Sequence, residues 1–150
     1  NKKFYLRRWP HIREGLLQVV DRFEPGDLSY MPVEGGWPVG RILLHISSAA
    51  NYWLHSGIIG SENVYRPGES TLDHYPTIEA IKGFLAEEHS RTMTLIEGFK
   101  ESQWEVPFAY PDGYQYSPSW VFAHVFEHEI HHRGELSLVL GILGREGLDV

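Results

Sequence analysis

His124-Val125-Phe126-Glu127-His128-Glu129-Ile130-His131-His132-Arg133-Gly134-Glu135 is the stretch that decides the reading of this chain. At 3.6 residues per turn, positions four apart lie nearly one above the other. His124, His128 and His132 therefore project from one face of a helix, and Glu135 follows His132 by about one turn. That face continues into Leu136, Val139, Leu140 and Leu143, which read as core. The histidines thus aim into the protein rather than at water. Burying imidazoles without partners is costly, and metal ligation is one way to satisfy them. Two imidazoles at i and i+4 are spaced to hold one divalent ion from a single rigid helix.

The string also satisfies H-E-x-x-H, the zinc-protease pattern with Glu129 as general base. The extended form wants Gly and His at positions occupied by Glu135 and Leu138. Glu146 sits at a helix end, poorly placed to fold back as a third ligand. Nothing upstream resembles the sheet that lines a protease cleft, so the protease reading ranks last.

Working outward, Ser117-Pro118 reads as N-cap and first residue of this last helix, which runs to about Leu143 before Gly144. A first helix is expected from Pro10 to Phe23, with Pro10 in its first turn and Ile12, Leu16, Leu17, Val20 and Phe23 as its apolar stripe. A second opens at Trp37-Pro38 and reaches about Ile59, closed by Gly57 and Gly60. Thr77 caps a third, which extends to about Phe99 with Ile78, Ile81, Phe84, Leu85, Met93 and Ile96 as core. Between these, Asn63, Pro67, Gly68 and Pro76 mark a loop, and Pro107, Pro111 and Asp112-Gly113 mark a turn or short hairpin. Four amphipathic helices without a credible sheet make an all-α four-helix bundle in a single domain, residues 1–150. The connections are long for an up-down-up-down bundle, so at least one crossover is expected.

The chain has 150 residues, and 42% hydrophobic with 22% charged residues is ordinary for a soluble globular protein. No run approaches a membrane span, no secretory signal is visible, and the expected compartment is the bacterial cytoplasm. The chain begins at Asn1 without Met, which is compatible with trimming. There is no cysteine, so any metal must sit on His, carboxylate or water. A net charge of −7 without a basic stripe argues against nucleic-acid binding.

A metal site needs a third ligand, and His45 is the best candidate. It shares a face with Ile42, Ala49 and Tyr52 at the edge of the second helix's apolar stripe. His11, His55, His74 and His89 read as surface residues. His131, one position off the line of ligands, flanks the site. His124 is a fourth ligand, a support for the ligands or part of the pocket wall.

One His in the second helix followed by H-x3-H-x3-H-R-G on the last helix resembles the DinB/YfiT-like family. The resemblance includes Leu44-His45, Tyr52-Trp53, Ser117-Pro118-Ser119-Trp120 and the run from His124 to Glu135, and it covers the whole chain. Many members have Gln where this chain has Glu135. The resemblance implies up-down-down-up connectivity and a homodimer. It implies one divalent metal per chain on His45, His128 and His132, zinc first, with nickel, manganese or iron as alternatives. It also implies relatives that act as metal-dependent transferases or isomerases with low-molecular-weight thiols.

Three neutral imidazoles leave an open position on such a metal, where a bound water or thiol loses its proton near neutral pH. Glu129 is then a candidate proton acceptor, or else a solvated or capping carboxylate. Arg133 and Tyr52 are candidates to bind an anionic substrate, with an Arg133–Glu129 ion pair as the bland reading of Arg133. The leading expectation is a metal-dependent transferase or hydrolase acting on a small molecule, with a low-molecular-weight thiol as possible co-substrate. The alternative is a non-catalytic metal-binding protein with a structural or stress-response role. From charge alone, gel-shift titration should show no duplex DNA binding at micromolar protein and physiological salt. Tight, salt-sensitive binding would contradict this.

Overall fold

A computed structural model describes residues 1–58, 68, 70–110 and 112–148. The expected features at Ile59, Gly60, Asn63, Pro67 and Pro111 lie outside the described residues. Among those described, four α-helices carry the fold: α1 (Lys2–Val20), α2 (Val39–Ala50), α3 (Ile78–Gly98) and α4 (Pro118–Ile142). A π-helical segment, Asn51–Ile58, prolongs α2.

Local chemistry sets the helix starts. Thr77 accepts a hydrogen bond from the Ala80 amide, and Ser117 accepts one from the Trp120 amide ahead of Pro118. Gly144, at φ 75°, lets the chain leave α4 in the left-handed region. The expected hairpin is present as β1 (Phe108–Ala109) and β2 (Gln115–Tyr116), antiparallel with Phe108 opposite Tyr116.

Helix α1 corrects one expectation. It begins at Lys2, so Pro10 lies inside it rather than in its first turn. Proline fits a first turn because its missing N–H costs nothing there. Here aromatic packing upstream of Pro10 extends the helix instead: Tyr5 and Trp9 lie against Phe126 with ring centroids 5.5 Å apart in each case.

The principal helix contacts pair α1 and α2 each with both α3 and α4. Arg13 reaches the Leu85 carbonyl and Lys2 the Glu97 carbonyl, so α1 and α3 are antiparallel. Tyr5 meets Phe122 and Arg13 meets Glu129, so α1 and α4 are parallel. His45 meets His128 and Trp53 meets Trp120, so α2 opposes α4. The connectivity is therefore up-down-down-up. None of the described helices is long and apolar enough to cross a membrane.

Two apolar clusters fill the bundle. Leu16, Leu43, Leu85 and Leu136 belong to one, and Trp9, Leu54, Ile96 and Phe122 to the other. Along each helix, buried polar residues fall between the two: Arg13 on α1, Ser47 on α2, Glu88 and Thr92 on α3, and Glu129 on α4. This polar layer crosses the bundle at mid-height.

Pro10 is exposed and denies the Leu6 carbonyl its helical partner. Pro10→Ala should therefore stabilise the protein by about 1–3 kcal/mol in urea denaturation. A lower denaturation midpoint would contradict this placement.

Candidate metal centre

The antiparallel crossing of α2 and α4 sets His45 opposite His128 and His132. His128 Nε2 lies 2.9 Å from His45 Nε2 and 3.1 Å from His132 Nε2. One donor nitrogen from each ring falls within 4.8 Å of the others. Two neighbouring ring nitrogens can share one proton, yet His128 Nε2 faces two such partners at once. Three imidazole nitrogens turned on one point fit a divalent cation of the zinc or nickel type.

His132 is held from its far side, where Nδ1 meets Glu135 Oε2 at 2.7 Å. A carboxylate on the outer ring nitrogen fixes the tautomer and leaves Nε2 free to ligate. Burial, then the neighbouring imidazoles, hold His128 down to about 3. Burial also lowers His45, with smaller contributions from His132 and Arg41. Both rings are therefore neutral at neutral pH, the form a metal requires.

The surrounding residues divide by side of the helix. His124 stacks on Trp120 (4.9 Å, 7°), meets Trp53 edge-on at 4.8 Å, and lies 6.2 Å from the His128 ring. Tyr52 packs on Trp53 and Tyr110 in the same aromatic group. His131 is exposed and flanks His132 at 4.9 Å.

Glu129 and Arg133 are not brought to the histidines. The Glu129 carboxylate is 2% exposed and accepts from Trp9 Nε1 (2.7 Å) and Arg13 Nη2 (2.8 Å) on the α1 side. Arg133 does not pair with it. Its guanidinium lies against Gly15 of α1, where an added Cβ would meet Arg133 Nη1 at 2.8 Å. The 100° step from His128 to Glu129 that makes one face α2 makes the other face α1.

Two histidines expected at the surface are corrected. His55 is buried, with Nε2 3.1 Å from Glu88 Oε1, because α2 and α3 pack on each other. His89 is partly buried, and burial with the Arg13 charge holds it down to about 4. His11 and His74 are exposed as expected.

Arg41 was not singled out by the sequence reading. Its guanidinium sits 4.2 Å over the Trp37 ring, and that ring meets the His45 ring edge-on at 4.8 Å. The signal is the spacing Trp37, Arg41, His45, four residues at each step.

The depressed histidines link stability to pH. Between about 3 and the unfolded value near 6.5, the unfolded chain binds protons that folded His128 does not. The stabilising contribution is complete above that upper value and is lost as pH falls toward about 3. In metal-free protein the urea midpoint should fall across this window, and His128→Gln should flatten the slope in part, since His89 acts in the same sense. An unchanged slope in His128→Gln would contradict this electrostatic picture.

Residues 9–136 match the family model described as the DinB superfamily. No curated protein matches the chain by sequence. Three solved structures are similar in fold. A DinB-like protein from Bacillus cereus ATCC 10987 gives a TM-score of 0.78 at 20% identity, over 97% of this chain and 95% of that one. YfiT from Bacillus subtilis, described as a probable metal-dependent hydrolase with an unusual four-helix bundle topology, gives 0.68 at 21%, over 93% and 87%. A mycothiol-dependent maleylpyruvate isomerase gives 0.66 at 12%, over 88% of this chain and 59% of that one. At these identities the likeness is one of fold. With most of its length matched by the family model, this chain belongs to the DinB superfamily.

Proposed function

We propose that the protein binds one divalent metal ion through His45, His128 and His132 and acts on a small molecule as a metal-dependent enzyme. The observation that carries this reading is the convergence of three Nε2 atoms, with 2.9 Å and 3.1 Å between neighbours. Support comes from YfiT, described as a probable metal-dependent hydrolase, and from the isomerase described as mycothiol-dependent. The proposal takes zinc as the first candidate metal, a low-molecular-weight thiol as co-substrate, and transfer or hydrolysis as the reaction. A homodimeric state belongs to the same proposal and is supported by the family resemblance alone; the cytoplasmic compartment is carried over as an expectation from the sequence.

Bound to these residues, the metal would supply Lewis acidity and lower the pKa of a coordinating water or thiol. The chain's own residues then have definite tasks. His45 reaches the site from α2, and His128 and His132 reach it from α4. Glu135 keeps the His132 proton on Nδ1. His124, Trp53 and Trp120 form an aromatic wall beside the ligands. Glu129 supports the site from behind, since its Oε2 accepts from both Arg13 and Trp9.

Elemental analysis should find one metal ion per chain in the native protein and none in His128→Ala, with the exposed His11→Ala as control. Stoichiometric metal in His128→Ala would overturn the ligand set. Glu135→Gln should keep the fold and lower metal affinity about 10–100-fold. Unchanged affinity would remove Glu135 from the account.

A further inference from the structure

We propose that the groove beside Arg41 binds the carboxylate of a small substrate and so orients it toward the histidine centre. The inference rests on the metal-dependent reading above and names a substrate class for it. The groove has a volume of about 420 Å³ and is lined by Arg41, Ser70, Thr71, Leu72 and Asp73. Leu72 fixes the outer wall against α2. A Cβ at Gly40 would meet Leu72 Cδ2 at 2.6 Å and the Leu28 carbonyl at 3.1 Å, so glycine is what permits this close approach.

Arg41 is one helical turn before His45 and is exposed. Among the described residues it forms no ion pair, while Arg13, Arg91 and Arg145 each hold a carboxylate. Trp37 under the guanidinium restricts where it can swing without neutralising it. The Trp37 ring also touches His45, so the cation and a metal ligand are joined through one side chain. A planar guanidinium with free N–H groups takes a carboxylate in bidentate fashion, a geometry lysine does not reproduce. Asp73, also in the lining, disfavours polyanions and suits a ligand whose carboxylate is accompanied by an ammonium group.

Cobalt-loaded protein provides the test, read by the change in the cobalt spectrum when a thiolate coordinates. Three probes separate the charges: L-cysteine carries a carboxylate and an ammonium, 3-mercaptopropionate only the carboxylate, and cysteamine only the ammonium. L-Cysteine and 3-mercaptopropionate should each bind about tenfold or more tightly than cysteamine, the scale of one charge-assisted contact. Arg41→Gln should erase that difference at equal cobalt content. Equal binding of 3-mercaptopropionate and cysteamine to the native protein, or a preference that survives in Arg41→Gln, would overturn the proposal. If no thiol alters the cobalt spectrum, the thiol reading of the enzyme fails, and propionate then decides the Arg41 site alone. A saturable shift of the Arg41 Nε–Hε resonance on propionate titration would uphold the carboxylate site, and its absence would overturn it.

Discussion

The rotation of α4 about its own axis is the constraint on which the site depends. This helix presents His128 and His132 to α2 and, one residue round, Glu129 to α1. Arg13 and Trp9 grip Glu129 at 2.8 Å and 2.7 Å, and all three side chains are buried. Breaking a buried ion pair by removing one partner typically costs about 3–5 kcal/mol, because the remaining charge has no solvent to turn to. The grip therefore resists any turn of α4 that would carry the histidines off the α2 face. Arg13 also donates to the Leu85 carbonyl, so the same contact ties α3 to the lock. Glu129, the proton acceptor that an H-E-x-x-H string suggests, serves here as an anchor.

The polar layer at mid-height gives this arrangement its register. Apolar packing above and below tolerates small slips, since Leu against Leu is much the same one turn along. A layer with Arg13, Glu88 and Glu129 does not, because a slip would strand charges. The histidine centre lies at this same height, between α2 and α4. It borrows a fixed position from the layer. Its chemistry follows from burial: imidazoles kept neutral by desolvation and by one another are prepared for a cation and unsuited to bind an anion directly. On this account anion recognition falls to a separate group, and Arg41 beside Trp37 is placed for it.

Local signals in the chain were legible and long-range ones were not. Ser117-Pro118, Thr77 and Gly144 mark helix ends through contacts within a few residues, and the structure keeps all three. His128 and His132 announce themselves because their spacing is a property of one helix. His45 could be found because so few other histidines share a face with core residues. Pro10 misled because proline suits a first turn, while its tolerance inside α1 depends on aromatic packing against α4. His55 looked solvated because Glu88, which satisfies it, is 33 residues away. Arg133 is next to His132 in sequence, yet α4 turns it toward Gly15 of α1.

X-ray absorption at the metal edge of zinc-loaded protein tests the central claim most directly. The account predicts three imidazole nitrogens at about 2.0–2.1 Å, seen as outer-ring scattering, with one further light atom from solvent or substrate. Fewer than three imidazoles in the first coordination shell, or an oxygen-dominated shell unchanged in His45→Ala, would contradict it.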